Sequence, residues 1–291
     1  MRKKCFTMFD AIVYIISTIL LLIVLYPLIL VLSNSFSDPS LVASGQVIFL
    51  PKGMNLEGYK AVFGAKDIMT GYVNTIFYTV VGTIINLLVT LPAGYALTKK
   101  AIPGRNLVMT MFMITMYFSG GLIPTFLVVN KLGLYNTRTI LLVMGAFSVY
   151  NCIICRSFFA ALPQELEESA EIDGCNPIRS FVQIVLPLSK ALIGVMVLYF
   201  GVGHWNSYFS AMIYLVDEDK KPLQLVLRRI LLRAQDLATR EEGGEYAAMM
   251  ADREALIRYA VIVVSAAPLL IIYPFLQKYF DKGVLIGSVK G

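Results

Sequence analysis

Pro163-Gln-Glu-Leu-Glu-Glu-Ser-Ala-Glu-Ile-Asp-Gly-Cys-Asn-Pro-Ile-Arg-Ser-Phe-Val-Gln-Ile-Val-Leu-Pro187 is a charged insert between two long apolar runs, 138–160 and 190–215. Five carboxylates (Glu165, Glu167, Glu168, Glu171 and Asp173) crowd ahead of Gly174, whereas the flanking runs are almost free of charge. Crossing about 30 Å of hydrocarbon takes roughly 20 apolar residues in a helix. Six runs meet that length approximately: 11–33, 72–97, 106–129, 138–160, 190–215 and 257–279. A span must satisfy its own backbone polar groups, which favours helices, and no period-two alternation of barrel type is present. The fold class is therefore all-α, a polytopic membrane protein with six transmembrane helices. Composition agrees: 57% of residues are hydrophobic and 15% charged, with mean hydropathy +0.71, against roughly 25% charged in soluble domains.

The ends of the runs supply boundaries. Arg2, Lys3 and Lys4 precede the first run, which is longer than the apolar core of a cleaved signal peptide and lacks a small-x-small site, so an uncleaved first span is expected. Ser119-Gly120-Gly121 and Pro124 fall within the third run and predict a break or early end there, the remainder lying at the interface. Lys99, Lys100, Arg105, Arg156, Arg179 and Lys190 cluster on the side of the N-terminus, which the positive-inside rule assigns to the cytoplasm. Seven further basic residues in 217–256 oppose that vote, but they lie among nine acidic ones in a long, late loop, where the rule is weakest. The resulting plan is a cytoplasmic N-terminus at 1–10, a first span at 11–33 and an extracytoplasmic loop at 34–71. A core at 72–279 follows, containing the cytoplasmic insert 161–189 and the extracytoplasmic loop 217–256, and a cytoplasmic tail closes the chain at 280–291. Within 217–256, Leu223, Val226, Leu227, Ile230 and Leu231 recur at helical spacing and predict an interfacial helix.

The insert has the sequence grammar of two short helices. Pro163 suits a first turn, and carboxylates after it favour the positive end of the helix dipole. Gly174 stands where the chain must stop and reverse. Asn176-Pro177 is an N-cap and N1 pair opening a second helix, on which Ile178, Phe181, Val182 and Val185 are spaced to share a face, with Pro187 closing it. Elsewhere, Cys152 and Cys155 form a C-x-x-C, but inside an apolar span with no second pair and no neighbouring histidine. Their expected role is packing; no catalytic residue and no metal ligand is assigned. The net charge of +6 is scattered rather than striped, so nucleic acid is not an expected partner. The chain contains no G-x-x-x-x-G-K-[ST] for ATP, and the span centres hold no Asp, Glu, Lys or Arg. Energy for any transport must therefore come from another protein.

Glu168-Ser169-Ala170, then Asp173-Gly174, then nine residues and Ile184-x-Leu186-Pro187 resemble the EAA motif of ABC-importer permeases, with Ser169 in place of the middle alanine. The tail Gly283-Val-Leu-Ile-Gly287-Ser-Val-Lys-Gly291 resembles carbohydrate-importer permeases related to the maltose system. Phe118-Ser-Gly-Gly-Leu-Ile-Pro124 and Tyr273-Pro-Phe-Leu-Gln277 are similar to the branch associated with complex oligosaccharides and aldouronates. The resemblance implies a type I ABC importer permease with both termini cytoplasmic, multi-pass in a bacterial cell membrane. It implies three protein partners: a second permease subunit in a heterodimer, an ABC ATPase dimer, and an extracytoplasmic sugar-binding protein. ATP and Mg would be bound by the ATPase, with no cofactor on this chain. Glu167, Glu168, Ser169, Ala170, Asp173, Gly174, Ile184, Leu186 and Pro187 would dock to the ATPase, Glu168 facing a basic residue there. Gly287, Lys290 and Gly291 in the tail would reach the same interface.

His204, Trp205, Asn206 and Tyr208 stand together in the fifth run and combine aromatic faces with hydrogen-bonding groups, as a sugar path requires. The same residue types belt membrane interfaces and knit helices together. His204 is expected to act as a structural hydrogen-bonding group rather than a proton carrier, and Asn74, Asn86 and Asn151 to bond between helices. An ion-coupled secondary transporter is the alternative reading. It calls for ionisable groups at membrane depth and often for repeated halves, neither of which is present. A membrane-embedded enzyme would need paired carboxylates or a metal-ligand cluster within a span.

Overall fold

The structure is a computed structural model that describes residues 7–163, 165–238, 257–274 and 277. The chain groups into two compact units, Met1–Met69 with Val226–Ala267, and Thr70–Leu225 with Pro268–Gly291.

In the first unit, the helix Met8–Ser35 opens on a reciprocal cap in which the Asp10 amide donates to Thr7 Oγ1 and the Thr7 amide to Asp10 Oδ2. Its apolar side chains stay exposed along most of the helix, a surface suited to lipid rather than water. Only its last turn is buried. There Ser33 Oγ donates to Phe49 O at 2.6 Å, Ser35 Oγ meets the Tyr59 hydroxyl at 2.8 Å, and Phe36 stacks on Tyr59. The loop that follows is thus folded back on the helix end by its own polar groups. The predicted amphipathic segment is the helix Leu223–Ala238, and Arg229 pairs with Asp67 at 3.0 Å.

The second unit begins in the long helix Lys66–Ala96. The third predicted span is broken, as its glycines foretell: Arg105–Tyr117 and Leu122–Lys131 meet at 115° across extended Phe118 and the positive-φ Gly121. The fourth is bent by 47° between Arg138–Met144 and Val149–Ala160. The fifth is shorter than 190–215: Lys190–Trp205 ends at Asn206, and Phe209–Tyr214 is a separate short helix. Sixteen residues rise about 24 Å, less than the hydrocarbon thickness. The last described helix is Ile257–Pro274. Among the described residues, three helices are long and apolar enough to cross a membrane singly, and up to six spans result if each bent pair counts as one.

Between Asn136 and Leu223 a hydrogen-bonded knot ties the ends of these helices. Asn74 Nδ2 donates to Asp219 O and Lys221 O, Tyr78 Oη to Lys220 O, and the Leu223 amide to Thr75 Oγ1. Asn136 Oδ1 accepts from the Val216 and Asp217 amides. Hydrogen bonds from Lys220 and Asn136 hold the Asp217 carboxyl below the usual carboxylate range. Closer to the insert, Gly94 lets two helices touch: a Cβ there would lie 2.8 Å from Cys155 Cβ and 3.2 Å from the Arg156 amide nitrogen. Cys152 and Cys155 are fully buried in this contact, so the C-x-x-C is packing.

Gly94→Val forces side chain against backbone and is expected to cost about 1–3 kcal/mol, lowering the Tm of the detergent-solubilised protein. Gly201→Ala, whose Cβ would meet only Thr83 Oγ1 at 3.8 Å, is expected to hold or raise it.

Candidate functional site

The insert consists of the helices Glu165–Ile172 and Pro177–Leu188. The first ends in a paired cap: the Gly174 amide donates to Glu171 O at 3.0 Å and the Cys175 amide to Ala170 O at 2.9 Å. Gly174 has φ +77°, a conformation costly for residues with a Cβ, and a Cβ there would meet nothing within 4 Å. The requirement for glycine is therefore conformational, not steric. Asn176 caps the second helix by accepting from the Arg179 amide at 2.8 Å, with Pro177 at its first position.

Beyond that cap, the second helix departs from the sequence expectation. Phe181–Val185 is a π-turn in which the Leu186 amide reaches back to Phe181 O. Pro187 has no N–H and its ring would crowd the carbonyl four residues earlier, so a widened turn lets the helix pass through it. Pro187 thus does not close the helix; the helix ends after Leu188, and the chain then turns by 84° into Lys190–Trp205. The predicted common face also splits. Phe181 and Val185 are buried, while Ile178 is 76% exposed and Val182 faces outward.

Residues of the motif divide accordingly. Ala170 is buried, Ile184 and Leu186 half-buried, and Glu168, Ser169, Asp173, Gly174 and Pro187 exposed. Ile172, at 86% exposure, stands beside them on the outer side. An exposed surface carrying both carboxylates and large apolar side chains suits a partner with a basic rim and an apolar socket. Glu167 differs from its neighbours: its carboxylate is paired with Lys99 of the same chain. The Lys99 ammonium lies 4.5 Å from the centre of the Tyr95 ring, and Tyr95 stacks on Phe181 at 4.9 Å. Burial lowers the Lys99 pKa, but hydrogen bonds to Glu167 and Tyr95, with their charges, outweigh it and leave the group above its ordinary value. Arg156 Nε donates to Leu97 O at 3.1 Å and fixes the same end of the long helix.

The fifth-span residues separate into two pairs. His204 Nε2 lies 2.6 Å from Asn86 Oδ1, and Asn86 Nδ2 donates to Gly145 O. An amide oxygen only accepts, so His204 carries its proton on Nε2 and donates. A Cβ on Gly82 would lie 2.6 Å from the imidazole, and one on Gly145 3.1 Å. His204 therefore fills the junction of three helices at the bend in the fourth span. Trp205 is buried, edge-on to Tyr72 at 5.8 Å, and lines a mainly aliphatic cavity of about 600 Å³ with Thr83, Gly201 and Pro268. The lining is mostly aliphatic, with Tyr72, Thr79, Thr83 and Trp205 as its side chains able to hydrogen-bond. Asn206 is exposed and its amide group donates to Val202 O, while Tyr208 is partly exposed at the turn. Of the four, Trp205 alone lines that cavity. Asn74 and Asn86 bond between elements as expected, and the backbone amide of Asn151 donates to Ser148 Oγ in a helix cap. Gly287, Lys290 and Gly291 lie outside the described residues.

Lys99 and Tyr95 were legible only as a basic residue and an aromatic near a span end. Their i, i+4 spacing was the available signal, the acidic insert being remote in the sequence.

Residues 67–286 match the family described as the inner membrane component of binding-protein-dependent transport systems, and the chain belongs to that family. It is similar to protein LplC of Bacillus subtilis, 42% identical over 269 residues that cover 92% of this chain and 90% of LplC. It is also similar to the polygalacturonan/rhamnogalacturonan transport system permease protein YtcP of the same organism, 38% identical with 98% and 99% covered. Among solved structures, a chain of a bacterial ABC transporter involved in the import of the acidic polysaccharide alginate superposes with a TM-score of 0.84 at 34% identity. That superposition covers 96% of this chain and 100% of the other. The chain is thus a multi-pass membrane permease of the ABC importer type, and the six-span all-α reading holds.

Replacing His204 with alanine leaves the Asn86 carboxamide oxygen unpaired, at about 1–3 kcal/mol. Thermal stability in detergent is expected to fall while the KM for uptake stays unchanged; a selective rise in KM would instead place His204 in the sugar path.

Proposed function

We propose that this chain is one of two permease subunits of an ATP-driven importer of oligosaccharides, and that the insert is its docking element for a separate ATPase subunit on the cytoplasmic side. The observation that carries this reading is the exposed outer surface of the capped helix pair, with Glu168, Asp173, Ile172 and Ile178 presented outward. Both chain termini are cytoplasmic in this reading, and the membrane is the bacterial cell membrane. ATP and Mg bind the ATPase, where their hydrolysis supplies the energy. This chain is not itself an enzyme.

The working cycle follows from rigidity. The paired cap at Gly174 and the buried side of the pair hold the two helices at a fixed angle, so a force on the exposed side moves them together. Closure of the ATPase dimer draws in the insert of each permease, and the spans joined to it rearrange to open the path outward. A binding protein on the extracytoplasmic side then delivers sugar. YtcP is named for polygalacturonan and rhamnogalacturonan, and the neighbouring structure for the acidic polysaccharide alginate. Both support an acidic oligosaccharide as cargo, as does the similarity of Phe118–Pro124 to the aldouronate branch.

The test is co-purification in mild detergent. The wild-type chain is expected to bring down an ATPase subunit, and Glu168→Lys combined with Ile172→Asp to lose it while membrane insertion persists. Gly174→Val, which places a β-branched residue at positive φ at a cost of about 1–2 kcal/mol, is expected to abolish uptake. Wild-type uptake by Gly174→Val together with ATPase retention by the double variant would sink the docking role. Uptake of oligogalacturonate but not of a neutral maltooligosaccharide checks the cargo.

A further inference from the structure

The geometry points to Lys99 as the positioning residue that transmits movement of the docking insert to the second span, through an ion pair with Glu167 and a ring contact with Tyr95. This rests on the docking reading above, and goes beyond it by assigning Glu167 to this chain's own mechanics rather than to the ATPase.

Three contacts meet at one point. Lys99 lies three residues beyond the helix Lys66–Ala96, with its amide donating to Ala96 O, so its side chain leaves from the end of the span. The ammonium is bonded to Glu167 of the first docking helix. It also sits over the Tyr95 ring, which stacks on Phe181 of the second docking helix and meets Phe159 edge-on at 6.0 Å. The last turn of one span therefore touches both helices of the insert, through a charge to the first and through an aromatic face to the second.

The charged contact adds something the apolar one does not. Leu91, Tyr95, Phe181, Val185 and Met196 share a buried cluster, whose apolar attraction is non-directional. An ion pair with both side chains about one-quarter exposed (28% and 24%) is shielded enough to be directional. It resists rotation of the Glu165–Ile172 helix about its own axis, the movement that a pull on Glu168 and Ile172 would otherwise produce. Without it the insert could turn in the ATPase cleft while the span stayed still. The exposed and half-buried carboxylates thus have separate tasks: Glu168 faces the partner, and Glu167 faces inward.

The experiment is a double-mutant cycle on the assembled importer, purified with its ATPase and placed in lipid nanodiscs. A cysteine at position 76, on the second span, is labelled with a maleimide in the presence and absence of ATP. This readout needs no knowledge of the sugar. Lys99→Gln and Glu167→Gln are each expected to reduce the ATP-dependent change in labelling rate about fivefold or more, the low end of typical coupling. The ATPase stays bound and hydrolyses ATP. The double variant Lys99→Gln/Glu167→Gln is expected to be no worse than either single, and Lys99→Arg, which keeps the charge, to retain the wild-type response.

Singles that keep the response, or effects that simply add, would overturn the clamp. Loss of the ATPase from Glu167→Gln but not from Lys99→Gln would also overturn it, by showing Glu167 to be an ATPase contact. Failure of the wild type to hold an ATPase would remove the docking reading and the clamp with it. Variants that fail to assemble, with Lys99→Arg failing alongside them, would reduce Lys99 to a folding role and equally overturn the proposal.

Discussion

Hydrocarbon excludes charge, and this single constraint organises the chain. A span must bond its own backbone and keep ionised side chains out of its centre. The chain complies at every predicted span, leaving His204 as the one titratable imidazole within them, and its Nε2 proton is committed to Asn86. In the proposed reading, work enters where charge is permitted, at a surface between spans. The acidic insert is where the sequence concentrates it.

The docking role proposed for the insert requires it to be stiff and connected. Stiffness comes from the paired cap at Gly174, the Asn176 cap, and the burial of Ala170, Phe181 and Val185. Connection comes from the Tyr95 stack, the Arg156 bond to Leu97 O, and the close passage of helices at Gly94. The polar groups deeper in the spans serve a similar end. Asn86 and His204 secure the bend at Gly145, and Asn74 and Tyr78 hold the 219–221 turn by its carbonyls. Among the described residues, these polar groups bond one element to another.

The sequence foretold what depends on local rules. Apolar length pointed to membrane-spanning helices, Gly174 and Asn176-Pro177 to the caps, and Ser119-Gly120-Gly121 to the break in the third span. It foretold less where tertiary packing decides. Helical periodicity put Ile178, Phe181, Val182 and Val185 on one face, but that argument assumes 3.6 residues per turn. The π-turn that admits Pro187 changes the count and divides the set. The stop of the fifth helix at Asn206 was hidden because the residues after it remain apolar. Glu167 and Glu168 look alike in sequence, and only the position of Lys99 after a distant helix separates an inward carboxylate from an outward one. The aromatic cluster at 204–208 was ambiguous for the same reason: side-chain type does not reveal which helix it faces.

The most direct measurement of the central claim is site-specific photo-cross-linking from position 172, the most exposed apolar residue of the insert. A photoreactive side chain there, in intact cells, is expected to form an adduct with the ATPase subunit, in a yield that changes when ATP is trapped on it. An adduct confined to lipid or to the extracytoplasmic binding protein would contradict the account, because the insert would then be on the wrong face or serve no ATPase.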